Sequence, residues 1–163
     1  MKRFLLCLAL SVLTSVSLTG CGKTEDNAAK SKDPVEKKPA HPTTGPNKGS
    51  LIELGDDEYH GELVRGKDDK TATIYILDGS ATKHVPIEAK DVIIELTHAG
   101  KRKQYKLEAT PRDDDPKDKS SRFVLADKEL SQELTHKDAK PKLILKIGGK
   151  PYSGPIKPGK HVH

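Results

Sequence analysis

Cysteines and large aromatic residues, which commonly stabilise small domains through disulfides and core packing, are scarce in this chain of 163 residues. It contains no Trp, one Met, two Phe, four Tyr and two Cys. Both cysteines, Cys7 and Cys21, lie close to the N-terminus, so no disulfide can cross-link the long segment that follows them. Folding of that segment therefore has to rest on a core of aliphatic side chains.

Motifs that indicate catalysis or nucleotide binding are also absent. The sequence has no Gly-x-Ser-x-Gly, no glycine-rich phosphate loop and no His-Glu-x-x-His. Residues 51 to 163 hold 21 Lys plus Arg and 20 Asp plus Glu, so the formal charge of +5 overstates how basic the folded part is. A nearly balanced domain with few aromatic residues is a poor nucleic-acid binder, and an enzyme is disfavoured.

The first 20 residues have the organisation of an export signal. Lys2 and Arg3 precede an uncharged apolar stretch from Phe4 to Leu18, which is too short to span a bilayer and is typical of a signal peptide. Leu18-Thr19-Gly20-Cys21 then resembles the lipobox of bacterial lipoproteins at all four positions. The resemblance implies cleavage before Cys21 and acylation of its thiol. We therefore expect a lipid-anchored cell-envelope protein at the periplasmic face of the inner or outer membrane.

The alternative is an ordinary secretory signal followed by a chance cysteine. Cleavage near residue 20 would then leave an odd free thiol at Cys21 in an oxidising compartment, which is a less comfortable arrangement.

The remaining chain divides where its composition changes, at Leu51. Residues 21 to 50 contain the acylated Cys and a segment rich in Lys and Pro with almost nothing apolar. Such a segment cannot bury enough surface to offset its ordering entropy, which predicts a disordered tether spanning about 30 Å. Residues 51 to 157 form the predicted domain, and residues 158 to 163 form a histidine-containing tail.

Short apolar runs separated by turn signals predict β-strands throughout residues 51 to 157. Alternation is clearest at 71–77, 91–97 and 103–109, and Gly148-Gly149 is a strong hairpin signal. Further strands are expected at 51–54, 58–65, 83–87, 122–125, 142–147 and 151–156. This spacing predicts an all-β fold, namely an immunoglobulin-like antiparallel β-sandwich, with a small open barrel as the competing architecture.

One short helix is expected within this β-rich region. Asp127 is a good N-cap residue, and Leu130 and Leu134 lie four residues apart on one helical face. The pattern predicts a helix over about 128 to 135 that crosses between strands.

Histidine is the only plentiful metal-ligand type apart from carboxylates. His161 and His163 lie two residues apart, which places both imidazoles on one side of an extended chain, roughly 7 Å apart. His60 and His84 are candidate further ligands if their strands end nearby. Imidazoles without Met or Cys suit Zn, Cu(II) or Ni. The competing interpretation is a solvated polar tail that binds no metal.

Three stretches, Gly55 to Val64, Thr73 to Asp78 and Val85 to Ile87, resemble a group of small lipid-anchored or secreted β-sandwich proteins of bacteria. More distantly they resemble segments of periplasmic metal-efflux adaptors. The resemblance spans most of residues 50 to 157 and carries no established activity. It favours metal binding modestly, although the chain lacks the long coiled-coil hairpin of an efflux adaptor.

These patterns predict a non-catalytic binding or interaction module of the cell envelope. Its expected partners are the membrane, through the lipid on Cys21, and an envelope protein. The alternative function is a periplasmic divalent-metal binding accessory protein, linked to metal efflux or homeostasis, in which the histidines converge. A third possibility, an enzyme, requires a concave pocket with convergent titratable groups.

Overall fold

The computed structural model describes residues 42 to 157. The predicted signal, Cys21, most of the predicted tether and the tail with His161 and His163 lie outside the described residues. The described part consists of eight strands and one helix: β1 (Ser50–Leu54), β2 (Tyr59–Arg65), β3 (Thr71–Asp78), β4 (Asp91–His98), β5 (Lys101–Ala109), β6 (Arg122–Ala126), α1 (Lys128–Glu133), β7 (Lys140–Ile147) and β8 (Lys150–Pro155).

The strands pair antiparallel in the order β1-β2-β3-β6-β5-β4-β7-β8. The junction between β5 and β6 holds two residue pairs, Glu108 with Val124 and Ala109 with Phe123, whereas β4 and β5 pair over eight residues each. The sheet therefore divides into a first half, β1-β2-β3-β6, and a second half, β5-β4-β7-β8. The prediction of an all-β sandwich or barrel-like fold with one short helix is confirmed.

The two halves close on each other where β1 and β8 come into contact. Gly154 of β8 lies so close to β1 that a Cβ atom would meet the carbonyl oxygen of Glu53 at 2.2 Å and Ile52 Cγ2 at 2.8 Å. Only a residue without a side chain fits this approach, since the Glu53 oxygen belongs to the backbone and has little room to yield.

One aliphatic face of each strand points between the halves and forms the core. Alternate residues of β3 and β4 are buried there, as the alternation in the sequence predicted: Ala72, Ile74, Ile76, Val92, Ile94 and Leu96. Phe123 of β6 and Leu143 of β7 are fully buried in the same cluster. Residues 42 to 157 contain no cysteine, so aliphatic burial of this kind has to stabilise the fold without a disulfide.

Helix α1 lies where the sequence placed it. The Oδ1 atom of Asp127 accepts a hydrogen bond from the Leu130 backbone N–H at 2.8 Å, which confirms the predicted cap, and Leu130 and Leu134 are buried. The helix ends at Glu133 because Thr135 N–H and His136 N–H bond to carbonyls three residues back, which tightens the last turn. Among residues 42 to 157, no helix is long and apolar enough to cross a membrane.

The strand expected over residues 83 to 87 does not form. Two single bridges replace it, one between Leu77 and His84 and one between Ile87 and Ser120. Val85 N–H donates to the Ile76 carbonyl at 2.9 Å, but Pro86 has no N–H with which to extend the ladder. The prediction of a strand here was therefore wrong.

Order begins before the change in composition at Leu51. Residues 43 to 49, assigned above to the tether, form a turn in which Gly45 N–H donates to the Gly49 carbonyl at 3.0 Å. Leu51 N–H donates to the Thr43 carbonyl at 3.1 Å. We call residues 43 to 49 the N-terminal turn. It is held by hydrogen bonds and contributes little apolar burial, which is why composition alone assigned it to the tether.

Candidate functional site

The outward faces of the two halves differ in what covers them. In the first half, His60, Glu62 and Leu77 point outward yet are exposed by only 2%, 0% and 0%. In the second half, the outward residues of β4, β5 and β7 are all exposed or partly exposed. We call the first surface the covered face (His60, Glu62, Tyr75, Leu77 and the adjacent His84). We call the second the open face, made of Asp91, Ile93, Glu95, Thr97, Arg102, Gln104, Lys106, Glu108, Lys140, Lys142, Ile144 and Lys146.

The predicted metal ligands His60 and His84 both lie on the covered face. His60 pairs with Leu77 across β2 and β3, and Leu77 forms the bridge with His84. Leu77 therefore lies between His60 and His84 in one cross-strand row. The backbones of the two histidines are thus two strand spacings apart, which is roughly 10 Å. This separation is too large for both rings to bind one ion in the present arrangement.

His60 is held in a fixed orientation at the end of the β1–β2 hairpin. Its Nδ1 lies 3.3 Å from the Asp78 carbonyl oxygen, and its Nε2 lies 3.6 Å from Asp57 Oδ1. Asp56 and Asp57 have φ angles of 49° and 66°, a left-handed conformation that costs a non-glycine residue roughly 1–2 kcal/mol. The turn that places the Asp57 carboxylate beside the buried imidazole therefore contains two residues in a strained backbone conformation.

Glu62 is enclosed by the N-terminal turn. Its Oε1 accepts the Gly49 backbone N–H at 2.7 Å, and its Oε2 accepts Asn47 Nδ2 at 2.8 Å. A Cβ atom on Gly45 would meet the Glu62 carboxyl carbon at 2.5 Å, so the turn approaches the carboxylate as closely as its backbone permits. The buried carboxylate thus fastens the N-terminal turn to the covered face.

The same asparagine connects Glu62 with His84. Asn47 Nδ2 also lies 3.1 Å from His84 Nε2, and because an amide nitrogen only donates, this imidazole nitrogen accepts and the ring is neutral. Tyr75 packs edge-on against the ring with centroids 5.5 Å apart. Burial lowers the pKa of His84 below its usual value, and the positive charge of Arg112 adds to this effect.

Residues 42 to 157 contain no group of three or more His, Cys, Asp or Glu side chains placed to hold a metal ion. The structure therefore does not bring His60 and His84 together into such a site, while His161 and His163 lie outside the described residues.

Another histidine pair escaped the sequence analysis. The rings of His98 and His136 stack with centroids 5.0 Å apart, and His98 Nδ1 lies 2.6 Å from Glu133 Oε2. These residues join the end of β4 to the end of α1, and their distance in sequence hid their proximity. Since His98 already engages Glu133, we interpret this contact as a clamp between strand and helix.

The aspartate-rich loop is ordered by one of its carboxylates. Asp115 accepts hydrogen bonds from Ser121 N–H at 2.8 Å, from Ser121 Oγ at 2.7 Å and from Arg112 N–H at 2.9 Å. Burial by itself would raise the pKa of Asp115, but these three donors lower it below the usual value. Asp115 therefore has a structural role in closing this loop.

The open face is organised in cross-strand rows. One row places Lys106, Ile93, Ile144 and Ser153 side by side, and the next places Gln104, Glu95, Lys142 and Pro155 side by side. The two isoleucines thus form the apolar centre of a surface whose other members are mostly charged. The four tyrosines contribute nothing to it, because Tyr105 and Tyr152 are buried, Tyr59 packs against Tyr152 and Tyr75 belongs to the covered face.

In the two ion pairs of the open face, the cation is more exposed than the acid. Arg102 pairs with Glu95 at 3.8 Å, and the two side chains are exposed by 71% and 20%. Lys106 pairs with Asp91 at 3.1 Å, and these side chains are exposed by 61% and 35%. The exposed charges of the open face are therefore mostly positive, with Glu108 at the end of β5 as the one exposed acid.

A cleft of about 500 Å³ adjoins one end of the open face. Ala89, Ala109 and Pro111 supply its apolar wall, and charged side chains, including Lys106 and Lys119, line the rest. Lys119 pairs with Glu88 at 3.3 Å, as Lys106 does with Asp91. The rim of the cleft therefore consists of ion pairs accessible to solvent.

Comparison with known proteins identifies no relative of this chain, since it matches no protein-family model, no curated protein and no solved structure.

Proposed function

We propose that this chain is a lipid-anchored, non-catalytic binding module of the cell envelope that contacts its partner through the open face. One observation carries the proposal: part of the outward face of the first half is covered, with Glu62 exposed by 0%, whereas every outward residue of β4, β5 and β7 in the second half is exposed or partly exposed. A sheet face with an apolar centre and a charged surround is a typical contact surface.

The distribution of charge supports the same conclusion. Residues 51 to 163 are almost electrically balanced, yet the open face has five cations, Arg102, Lys106, Lys140, Lys142 and Lys146, against three acids, Asp91, Glu95 and Glu108. The excess is local, so it results from how the strands are arranged. Such an arrangement steers partners of opposite charge toward one face.

The contacts that the buried polar side chains already make support a non-catalytic role. Within residues 42 to 157, the buried carboxylate of Glu62 is occupied by the N-terminal turn. His84 is engaged by Asn47 and Tyr75. Both groups stabilise the fold, and neither faces the cleft at the end of the open face.

Two threonines provide a matched test in bacterial cells. Thr97 lies on β4 in the open face, Thr73 lies outward on β3 in the other half, and both are partly exposed. A photo-crosslinking amino acid at each position in turn should give specific adducts, to protein or to lipid, from Thr97 and few from Thr73. Absence of both protein and lipid adducts from Thr97, or identical adducts from both positions, would contradict the proposal.

A divalent-metal binding role is the second candidate, favoured by the orientation of His60. An imidazole that donates Nδ1–H to a backbone carbonyl presents Nε2 as a ligand, as is common in metal sites, and His60 Nε2 has no hydrogen-bond partner among the described residues. Titration calorimetry of Zn²⁺ and Cu²⁺, with His60→Ala and His161→Ala/His163→Ala alongside, tests this role. Micromolar 1:1 binding that either variant loses would establish it, and absence of binding, or weak binding that both variants keep, would exclude it.

A further inference from the structure

We propose that the partner of the open face is a surface of anionic phospholipid headgroups, in the membrane that also holds the anchor. This inference rests on the proposed function and names the chemistry of its partner. It predicts that the domain lies with β4, β5 and β7 against the bilayer, instead of moving freely at the end of its tether.

Three lysines of β7 carry the electrostatic part of the argument. Lys140, Lys142 and Lys146 are exposed along one side of the strand, and they take part in no ion pair among residues 42 to 157. Arg102 and Lys106 extend the positive charge onto β5 and are more exposed than the acids with which they pair. The open face therefore presents five exposed cations to an anionic surface, against one exposed acid, Glu108, at the end of β5.

The apolar centre of the open face fits a bilayer better than it fits a purely polar ligand. Ile93 and Ile144 pair across β4 and β7 and are both only partly exposed. Lys106 and Lys142 lie in or beside this row, where their long aliphatic stems can remain at the surface while the ammonium groups reach phosphates. A flat face of this kind matches the interfacial layer of a membrane.

The predicted anchor reduces the affinity that the open face must supply. A lipid on Cys21 and a flexible tether of about 30 Å would keep the domain within reach of the headgroups, so that docking becomes an intramolecular step. Each Lys or Arg close to an anionic leaflet strengthens binding about fivefold. A single acyl anchor commonly needs such a second, basic signal for stable attachment, although a diacylated cysteine needs it less.

The test uses the mature chain, residues 21 to 163, with Cys21→Ser so that no lipid contributes. Binding is measured by co-sedimentation with vesicles of phosphatidylglycerol and phosphatidylethanolamine, and with phosphatidylcholine vesicles as the neutral reference. The open-face variant is Lys140→Gln/Lys142→Gln/Lys146→Gln. The control with the same change of charge is Lys67→Gln/Lys70→Gln/Lys117→Gln, at three exposed lysines outside the open face.

We expect binding to the anionic vesicles only. The open-face variant should lose at least tenfold in partition coefficient and the control variant less than threefold, with both retaining the urea midpoint of the parent chain. Equal losses in the two variants, equal binding to neutral vesicles, or no binding to anionic vesicles would overturn the inference. If vesicle binding fails while crosslinks from Thr97 to a protein persist, the lipid partner is excluded and the proposed function stands. If both fail, both proposals fall.

Discussion

The buried carboxylate of Glu62 permits the sharpest test of how the N-terminal turn is held. Glu62 is fully buried, and it accepts hydrogen bonds from Gly49 N–H and Asn47 Nδ2 at 2.7 and 2.8 Å. Hydrogen bonds to a charged group contribute roughly 1.5–3 kcal/mol each, and an abandoned buried donor costs a similar amount. Glu62→Ala should therefore lower the free energy of unfolding by about 3–5 kcal/mol.

Glu62→Gln keeps the shape of the side chain and distinguishes the contribution of the Gly49 hydrogen bond from that of the Asn47 hydrogen bond. The amide oxygen can still accept Gly49 N–H, but the amide nitrogen would oppose the Asn47 nitrogen. Rotating the Asn47 amide would turn its oxygen toward the new side-chain amide and toward His84 Nε2. In the parent chain His84 Nε2 accepts from Asn47, so the rotation relieves the conflict only if the His84 proton moves to Nε2. We expect an intermediate loss of about 1–2 kcal/mol.

Urea unfolding of residues 21 to 163 measures both effects. With a denaturant slope of about 1.5 kcal/mol per molar, Glu62→Ala should lower the midpoint by roughly 2–3 M. Glu53→Ala is the control, because Glu53 is an exposed carboxylate on the neighbouring strand and its loss should cost less than about 0.5 kcal/mol. A loss below about 1 kcal/mol for Glu62→Ala, or equal losses for Ala and Gln, would refute the reasoning.

Three further changes test other parts of the account. The pKa of His84 is lowered in the folded state, so the unfolded chain binds more protons and the free energy of unfolding should fall as the pH drops below about 6.5. In urea titrations at pH 7 and 5, His84→Gln should reduce this dependence of stability on pH, and an unchanged dependence would exclude His84 as its source. Gly154→Ala should lower the melting temperature by several degrees, because its Cβ would meet a backbone oxygen at 2.2 Å; an unchanged melting temperature would show that β8 can move away from β1. Asp127→Ala should cost about 1 kcal/mol through loss of the helix cap, whereas Asp127→Asn should cost less, and equal costs would argue against the cap.

Strands with one buried face could be predicted from the sequence because their period is visible in residue type. Residues 71 to 78 and 91 to 98 alternate almost without fault, and they form β3 and β4. The cap at Asp127 was predictable because it depends only on the few residues that follow it. The segment 83–87 misled because its apolar residues imitate a strand, while Pro86 prevents the ladder from extending.

The covered face could not be predicted because it depends on a segment far away in sequence. His60, Glu62 and Val64 alternate with inward residues like any solvated strand edge, and nothing in β2 shows that the N-terminal turn lies over it. Asn47 and Glu62 are 15 residues apart, and composition placed Asn47 in the tether. A Gly-Pro-Asn-Lys-Gly run is a turn signal, however, and it forms most of the N-terminal turn.

The open face was partly visible in the sequence. Lys140, Lys142 and Lys146 alternate with buried Pro141, Leu143 and Leu145, a pattern that places the lysines on one side of a strand. Their alignment with Arg102 and Lys106 required the strand order, because β7 pairs with β4 and not with β5. The excess of positive charge on the open face therefore depends on the order of the strands, and the nearly balanced charge of residues 51 to 163 does not reveal it.

Fluorescence quenching can report the orientation of the chain on the membrane to which we propose it is anchored. Fluorophores on single cysteines introduced by Ser153→Cys, beside the open face, and by Thr73→Cys, on β3 of the other half, can be exposed to headgroup-attached quenchers in envelope vesicles. We predict strong quenching at position 153, weak quenching at position 73, and loss of the difference in the Lys140→Gln/Lys142→Gln/Lys146→Gln variant. Equal quenching at both positions in the parent chain would contradict a module that docks through its open face.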